Sequence, residues 1–270
     1  MTKQPPNMLA NADAWTGSIS LGKLGLVLDF DGTMAELVLV PDAAEMHSDI
    51  PAPLRNLTSK LDTVAILSGR PARDIQSRVG MDNILYVGQH GIEFLYKEAL
   101  TLLPQDRELA LSPEAMVERL KPLGDGEGIV WETKEYSLAI HYRMAPNKEH
   151  ARLLLNRAVA AVPEIQTMEI LSGNMVLEIR GSNSVNKGSA IDKIAKEHDL
   201  ETLIFLGDDT TDVDALKALR KLNNAGALVG IGVAVIQNGI PSTVLENADY
   251  SLDGVPEVAK FLKLLDQITD

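Results

Sequence analysis

The chain has 270 residues, 45% of them hydrophobic and 23% charged, which is enough to bury a sizeable core in one large domain or two smaller ones. A net charge of -13 repels nucleic acid and anionic lipid, and the absence of cysteine excludes disulfides, thiolate metal sites and thiol nucleophiles. No apolar run approaches the roughly 20 residues that cross a bilayer, so we expect a soluble, cytoplasmic protein without nucleic-acid or membrane partners.

The N-terminal part of the chain changes character after residues 1–20. These residues are polar and lack a sustained period, which predicts an arm that is flexible or loosely docked. Short apolar runs then alternate with predicted helices at about 53–61 and 73–79. Strands that are apolar on both faces and separated by helices are typical of a parallel sheet. The apolar runs are LGLVLDF, TVAILSG and ILYVG.

The middle of the chain follows a different pattern. The segment YSLAIHYR alternates polar and apolar residues, and MEILSGNMVLEIR reads as a hairpin that turns near Gly173 and Asn174. Two predicted helices, at about 113–121 and 148–161, flank these strands. Half-buried antiparallel strands with two helices predict a small inserted α+β domain, which we place at 105–182.

The first pattern resumes after Asn186. Strand TLIFLG and the glycine-rich GALVGIGVAV lie among predicted helices at about 188–198, 211–222 and 255–265. The glycines of GIGVAV precede an apolar, strand-like run instead of a helix, so this segment does not match the dinucleotide-binding fingerprint of an oxidoreductase. We therefore expect an α/β fold whose Rossmann-like parallel-sheet core is formed by residues 21–104 and 183–270.

Polar residues follow the apolar strands at the points where the strands end. In a parallel sheet these ends share one edge, where functional groups gather. Each residue alone is commonly a helix cap or a turn residue, but an unpaired carboxylate at the end of an apolar strand is costly, so the set points to a site. The set comprises Asp29 and Asp31, Ser68, Lys187, and Asp208, Asp209 and Asp212.

The sequence DFDGT, a strand-end serine, a lysine and GDDTTD, in this order, resemble the motifs of the haloacid dehalogenase superfamily of phosphotransferases. The resemblance implies that Asp29 is the nucleophile and becomes an aspartyl phosphate. It implies that Asp31 protonates the leaving oxygen and then activates water. It further implies that Ser68 donates to a phosphate oxygen and that Lys187 neutralises the phosphate beside Asp29.

A carboxylate cluster of this kind requires a cation. Packing Asp29, Asp208 and either Asp209 or Asp212 into one pocket is strongly repulsive unless a hard divalent ion lies among them, and Mg²⁺ is the expected ion. The same resemblance assigns its ligands to the Asp29 carboxylate, the Asp31 backbone carbonyl and the Asp208 carboxylate, with Asp212 nearby.

Further segments are similar to the trehalose-6-phosphate phosphatase family of that superfamily, over nearly all of the chain from Leu26 to Leu265. They are PDAA, SGRP, GQHG, YSLAIHYR, VLEIR and GDDTTD. The resemblance implies Mg²⁺-dependent hydrolysis of trehalose 6-phosphate, a small sugar phosphate, with the inserted domain as a lid. The chain departs from the family's Leu-x-Pro after DGT, and it lacks the proline that commonly follows the arginine of VLEIR.

The resemblance also implies a set of substrate-binding residues. Gly32 and Thr33 fit a loop whose amides close on a phosphate. Asn174 stands where relatives often carry lysine. The inserted domain's residues have an alternative reading as turn residues or ordinary cross-strand partners. The full set is Gly32, Thr33, Gly69, Arg70, His90 and Gly91 in the core, and Glu132, Lys134, Arg143, Asn174 and Glu178 in the inserted domain.

Two other functions stay open. The first is hydrolysis of another glycosyl phosphate, such as glucosylglycerol phosphate, sucrose phosphate or a glycosyl-phosphoglycerate, by the same chemistry. The second is a phosphorylated receiver domain, but such domains span about 120 residues and their phosphorylated aspartate is not followed by x-Asp-Gly-Thr. The sequence leaves the oligomeric state open, and a monomer is compatible with it.

Overall fold

The computed structural model describes most of the chain, which divides into two compact units. The first unit is Met1–Pro104 with Val185–Asp270, and the second is Gln105–Ser184. The predicted domain boundaries, after 104 and after 182, fall outside the described residues, as does Tyr136 of the predicted strand. Among the described residues, none of the helices combines the length and apolar character needed to cross a membrane. The described residues are 4–19, 22–103, 111–134, 137–181 and 185–269.

The strands form two sheets. One has the order β12-β11-β10-β1-β2-β3-β4-β5 and the other the order β6-β7-β9-β8. The strands are β1 (Leu24–Leu28), β2 (Thr63–Leu67), β3 (Leu85–Gly88), β4 (Glu93–Tyr96), β5 (Ala99–Leu102), β6 (Val130–Thr133), β7 (Ser137–His141), β8 (Glu169–Gly173), β9 (Val176–Arg180), β10 (Thr202–Gly207), β11 (Val229–Val235) and β12 (Tyr250–Leu252).

The large sheet is parallel from β12 to β3, which confirms the predicted Rossmann-like core. Strands β4 and β5 extend it in antiparallel fashion, and the sequence did not predict them. Both strands have only four residues, and Lys97 in their connection takes a positive φ of 54°. A turn in this conformation usually carries glycine, asparagine or aspartate, so the sequence offered no turn signal.

Helices cover both faces of the large sheet. Leu26 points into a core cluster with Leu54 and Phe261, whereas its neighbour Val27 points into a second cluster with Ile191. Both faces of β1 are therefore buried, which explains its continuous apolar run. The helices are α1 (Ala12–Ile19), α2 (Pro51–Lys60), α3 (Ala72–Val79), α4 (Pro113–Gly124), α5 (Lys148–Ala160), α6 (Lys187–Glu197), α7 (Asp212–Asn224), α8 (Ser242–Asn247) and α9 (Gly254–Ile268).

Local sequence sets several helix ends. Helix α2 begins with Pro51, whose fixed φ suits the first turn. Helix α3 ends at Gly80, whose φ of 67° is a left-handed cap. Asn147 caps α5 by accepting a hydrogen bond from the His150 amide at 2.9 Å. These helix-boundary residues explain why the predicted helix positions agree closely with the structure.

The N-terminal segment packs on the core, which corrects the prediction of a flexible or loosely docked arm for the described residues 4–19. Met8 and Trp15 are buried, and the Trp15 ring lies 5.6 Å from the ring of Phe261. The Met8 amide donates to the Ser251 carbonyl at 2.8 Å. Two large apolar anchors therefore suffice to dock a segment that is otherwise polar.

The second unit has the predicted α+β architecture. Its four strands are antiparallel, and α4 and α5 cover one face through a core that includes Leu120, Leu138, Leu155 and Ile179. The connection between β8 and β9 contains Met175 with a positive φ of 62°. On the opposite face, paired residues of β6, β7 and β9 lie side by side, in rows that run across the strands.

Candidate active site

The carboxyl ends of three strands meet in the first unit. Strands β1, β2 and β10 end side by side, because Leu28 pairs with both Leu206 and Ile66. The Asp29 amide donates to the Leu206 carbonyl at 2.9 Å, so the ladder continues one residue beyond β1. This bond fixes the backbone that carries the Asp29 carboxylate. The start of α6, whose first residue is Lys187, reaches the same edge.

The start of α6 is held by a capping box. The Asn186 side chain accepts from the Ser189 amide at 3.0 Å, and the Asn186 amide donates to the Ser189 hydroxyl at 3.0 Å. Gly91 packs closely against this cap, because a Cβ at Gly91 would lie 2.8 Å from the Asn186 carbonyl oxygen. The cap therefore defines where Lys187 begins the helix.

Lys187 binds two carboxylates at once. Its Nζ donates to Asp29 Oδ1 at 2.6 Å and to Asp212 Oδ1 at 2.6 Å. All three residues are buried. A buried ammonium group is tolerated only with such partners, so Lys187 and the two aspartates stabilise one another.

Asp208 completes a buried carboxylate cluster. Carboxylate oxygens of Asp29, Asp208 and Asp212 lie within 4.8 Å of one another. Asp212 Oδ2 also accepts from the amides of Asp208 and Asp209, at 3.0 Å each. The Asp209 carboxylate instead accepts from the Thr210 amide at 2.7 Å and is outside this cluster. Of the two aspartates that the sequence left as alternatives, the structure brings Asp212 into the cluster.

The cluster perturbs the ionisation of its members. Burial raises the pKa of Asp29 well above its usual range, with Asp212 and Asp31 adding to the rise and Lys187 opposing it. Burial also raises the pKa of Asp208, and the neighbouring charges of Asp29 and Asp212 increase it further. Burial lowers the pKa of Lys187, but the two carboxylates outweigh burial and raise it overall. The site therefore favours added positive charge.

These residues fit a hard divalent cation. All the side-chain atoms of the cluster that could bind a metal ion are carboxylate oxygens, the ligand type that Mg²⁺ prefers. One buried ammonium group faces three carboxylates, so the site has negative charge left to neutralise. Lys187 and backbone amides occupy both oxygens of Asp212, which makes Asp29 and Asp208 the better-placed ligands. Asp31 lies outside the carboxylate cluster; the sequence assigned its backbone carbonyl as a ligand, and that stays a prediction.

The loop after β1 closes tightly on Asp208. Gly32 has φ 87°, and a Cβ there would lie 2.1 Å from Asp208 Oδ2, so only glycine fits. The Thr33 hydroxyl donates to Asp208 Oδ1 at 3.5 Å. Gln237 Nε2 donates to the Gly32 carbonyl at 2.7 Å, which fixes the loop from the β11 side. The loop and the aspartate therefore hold each other in place.

The loops after β2 and β3 interlock. The Ser68 carbonyl accepts from the His90 amide at 3.0 Å, and a Cβ at Gly69 would lie 2.6 Å from the His90 ring. His90 itself takes a positive φ of 58°. The Ser68 hydroxyl oxygen accepts from the Arg70 amide at 3.2 Å, so its proton can be donated elsewhere. Ser68 is buried beside the sheet edge.

Arg70, predicted as a substrate contact, pairs with Asp31 in the structure. Its Nε and one terminal nitrogen donate to the two oxygens of Asp31, at 2.7 Å each. No sequence pattern predicts this pair, because the two residues lie 39 positions apart and follow different strands.

The predicted sugar-binding residues of the second unit lie on or beside its antiparallel sheet. Glu178 Oε1 accepts from the Ser137 hydroxyl at 2.7 Å and lies 3.5 Å from Lys134 Nζ. The register pairs Ala139 with both Glu132 and Glu178, so these two glutamates share one row. Glu132, Lys134 and Glu178 are therefore near neighbours within this unit.

Two further contacts order this face. His141 Nε2 and Glu132 Oε2 are 2.7 Å apart. Arg143 donates to the backbone carbonyl of Asn174 at 3.0 Å. The Arg143 contact joins the end of β7 to the β8–β9 turn. Neither this carbonyl nor His141 was predicted to bind substrate, because a histidine beside apolar strands is more often a packing residue.

Comparison with known proteins places these residues in context. A model of the family described as trehalose-phosphatase matches residues 27–255. A probable trehalose-phosphate phosphatase 4 of rice is 28% identical over 249 residues, which cover 89% of this chain and 65% of the relative. The trehalose-phosphate phosphatase of Mycobacterium avium is 32% identical over 251 residues, which cover 89% of this chain and 61% of that protein. The chain thus spans less than two thirds of these relatives.

Solved structures have the same fold. The C-terminal domain of Candida albicans trehalose-6-phosphate phosphatase superposes with a TM-score of 0.85 at 20% identity, covering 98% of this chain and 99% of that one. Aspergillus fumigatus trehalose-6-phosphate phosphatase superposes with a TM-score of 0.64 at 21% identity, covering 97% and 99%. At these identities the likeness concerns the fold alone.

Proposed function

Because the chain belongs to the trehalose-phosphatase family, we propose that it hydrolyses trehalose 6-phosphate to trehalose and inorganic phosphate. The observation that carries this proposal is the buried contact of Lys187 with Asp29 and Asp212, beside Asp208, at the carboxyl edge of the sheet. The named activities of the rice and mycobacterial relatives support the choice of ester.

Asp29 is the proposed nucleophile. Its Oδ1 accepts from Lys187, so we assign the attack to Oδ2. A bond forms between this oxygen and phosphorus while the bond from phosphorus to the sugar oxygen breaks, and the sugar oxygen takes a proton from Asp31. Water then attacks phosphorus, Asp31 takes the water's proton, and phosphate leaves as the Asp29 carboxylate is restored.

Positive charge is needed to keep Asp29 reactive. Burial raises the pKa of Asp29, which opposes the ionised form that attacks. Lys187 counters this effect directly through its 2.6 Å contact. We propose Mg²⁺ as the second source of positive charge, held by Asp29 and Asp208. When bound, it neutralises phosphate oxygens during transfer.

Neighbouring groups bind the phosphate in this proposal. Ser68 accepts from the Arg70 amide and keeps its own proton for a phosphate oxygen. The amides of the Gly32–Thr33 loop supply a local anion site, since Gly32 holds that loop close to Asp208. We assign Gly69, His90 and Gly91 to the adjoining side of the phosphate site, because Gly69 packs against the His90 ring in the interlocked loops.

We further propose that the second unit supplies the sugar contacts and acts as a lid that excludes water. Paired side chains on one face support this role. Glu178 with Lys134, and Glu132 with His141, offer polar and charged groups that can recognise sugar hydroxyls. The Asn174 carbonyl is engaged by Arg143, so we assign sugar contact to the Asn174 side-chain amide. Cytoplasmic location and a monomeric state stay predictions.

A phosphate-release assay tests the proposal. The panel contains trehalose 6-phosphate, sucrose 6-phosphate, glucosylglycerol phosphate and a glycosyl-phosphoglycerate, each with Mg²⁺ and with EDTA, and Asp29→Asn serves as the blank. We expect the highest kcat/KM for trehalose 6-phosphate, and only with Mg²⁺. A clear preference for another ester would replace the proposed substrate, and a long-lived phosphoprotein without turnover would favour a receiver domain.

A further inference from the structure

The contact between Arg70 and Asp31 is bidentate. Arg70 Nε donates to Asp31 Oδ2 at 2.7 Å, and a terminal nitrogen donates to Asp31 Oδ1 at 2.7 Å. Planar pairing of this kind fixes orientation as well as distance. The guanidinium also lies over the ring of Phe30, 5.8 Å from its centroid, so the residue between the two catalytic aspartates supports the same side chain.

Groups other than Asp31 also hold the Arg70 guanidinium in place. The nitrogen that contacts Asp31 Oδ1 also donates to the Pro41 carbonyl at 2.7 Å, and the other terminal nitrogen donates to Asp74 at 3.2 Å. Asp74 in turn accepts from Arg78 Nε at 2.9 Å. Arg70 is therefore a fixed donor, and it determines where the Asp31 carboxylate lies.

This arrangement has a consequence for proton transfer. Each Asp31 oxygen accepts one hydrogen bond from Arg70 and keeps a second lone pair, so the paired carboxylate can still exchange a proton with a leaving group. The Asp31 side chain is 34% exposed and the Arg70 side chain 13%, so the carboxylate is the partner with room to turn. The bidentate pair therefore sets the direction in which Asp31 presents its oxygens to a sugar oxygen.

We propose that Arg70 is a positioning residue for Asp31, holding both carboxylate oxygens in the orientation from which Asp31 gives a proton to the leaving group. This inference rests on the proposed function, and it gives Arg70 a role other than the predicted substrate contact. Arg70 then acts on proton donation to the leaving oxygen and not on phosphate binding.

The leaving group distinguishes this role from a structural one. A sugar alkoxide needs a proton to leave, whereas p-nitrophenolate leaves without one. The ratio kcat/KM reports the steps up to departure of the leaving group, so it isolates proton donation from the later attack of water. For Arg70→Ala we expect kcat/KM to fall about 100-fold on trehalose 6-phosphate, the lower range for general acid catalysis, and only a few-fold on p-nitrophenyl phosphate.

A double-mutant cycle tests whether Arg70 acts through Asp31. Asp31→Asn alone should show the same preference for the aryl ester, and adding Arg70→Ala should change it little further. Arg70→Lys, which cannot bind both oxygens in a plane, should give an intermediate loss. Arg73→Gln is the matched control, because the Arg73 side chain is 60% exposed and pairs with Glu98 at 3.8 Å.

The outcomes separate the two proposals. If the unaltered protein hydrolyses neither ester, the proposed function fails. Arg70 does not position Asp31 if the protein hydrolyses both esters but Arg70→Ala lowers kcat/KM equally on the two. The same conclusion follows if the losses in kcat/KM from Arg70→Ala and Asp31→Asn multiply in the double variant. Should Arg70→Ala fail to fold by circular dichroism, Asp74→Asn and Arg70→Lys carry the same test, since each weakens the positioning and keeps most of the buried contacts.

Discussion

The two units hold their candidate functional residues in different ways. In the first unit, Lys187 and Asp29 are both buried, and Lys187 Nζ lies 2.6 Å from Asp29 Oδ1. The strand register fixes the backbone at Asp29, and a capping box fixes the backbone at Lys187. In the second unit, Lys134 and Glu178 are 3.5 Å apart on an antiparallel sheet. In the proposed function, the first unit performs the chemistry on any phosphate ester and the second unit determines which sugar is accepted.

The largest expected effect comes from the nucleophile. Asp29→Asn keeps the shape of the side chain but cannot attack phosphorus, so we expect phosphate release to fall by at least about 1000-fold on every ester. The melting temperature should not fall, because one carboxylate is removed from a crowded site. Asp42→Asn is the control, since the Asp42 side chain is 95% exposed. Equal rates in folded Asp29→Asn and unaltered protein would rule out the mechanism.

Lys187→Met should lose both activity and stability. It leaves Asp29 and Asp212 buried without their cation, a change that costs about 3–5 kcal/mol of unfolding free energy. Urea unfolding measures that loss. The control is Lys23→Met, which breaks a 3.0 Å surface pair with Asp199 and should change stability by less than about 1 kcal/mol. Similar losses of unfolding free energy in the two variants would mean that the buried ion pairs of Lys187 stabilise the fold no more than the surface pair of Lys23.

Metal binding should become more stabilising as pH rises. Asp29 and Asp208 have raised pKa values in the folded state, so the folded protein holds their protons more tightly and this stability is lost as pH rises through those values. A divalent cation binds the ionised carboxylates and offsets the loss, by about 2.7 kcal/mol at 100 times its Kd. The gain in melting temperature on replacing EDTA with Mg²⁺ should therefore grow as pH rises above the usual range of carboxylates and through the raised pKa values of Asp29 and Asp208. A constant gain in unaltered protein, or an undiminished gain in Asp208→Asn, would contradict this site.

Gly32→Ala separates close packing from backbone conformation. Both Gly32 (φ 87°) and Gly239 (φ 82°) adopt left-handed backbone, but a Cβ would strike Asp208 only at Gly32 and would have nothing within 4 Å at Gly239. We expect Gly32→Ala to lower kcat about tenfold or more and stability by about 1–3 kcal/mol. Gly239→Ala should cost about 1 kcal/mol and leave kcat unchanged. Equal effects on kcat would show that the loop does not position Asp208.

The smallest expected effect is in the second unit. Lys134→Met removes the partner of Glu178, and we expect KM for trehalose 6-phosphate to rise about tenfold, as for the loss of one charged hydrogen bond. Hydrolysis of p-nitrophenyl phosphate, which has no sugar, should not change. Lys148→Met, at the start of α5 in the same unit, is the control. A loss of activity on both esters would contradict the proposed division of roles, in which the first unit performs the chemistry and the second unit selects the sugar.

The placement of polar residues at one edge of the first unit's sheet could be predicted from sequence, because strand ends of a parallel sheet converge. Asp29, Ser68 and Asp208 follow apolar runs, so their positions could be placed at one edge without knowledge of any contact. The choice between Asp209 and Asp212 could not be made, because both follow β10. It depends on how the first turn of α7 directs the Asp212 carboxylate back onto two amides.

Other features required tertiary structure. Gln237 reaches the Gly32 carbonyl from a loop 205 residues away, and no local pattern marks such a contact. The Arg70–Asp31 pair is equally invisible in sequence, since each residue belongs to a different motif. The packing of Met8 and Trp15 was missed because single apolar residues in a polar segment carry no periodicity.

The most direct measurement of the central claim is to trap the phosphorylated enzyme. Asp31→Asn removes the group that activates water, so an acid quench during turnover of p-nitrophenyl phosphate, whose leaving group needs no proton, should leave one phosphoryl group on the peptide that contains Asp29, as seen by mass spectrometry. Asp29→Asn, treated in the same way, should carry none. A phosphoryl group on another residue, or phosphate release without any modified Asp29 peptide, would contradict the account.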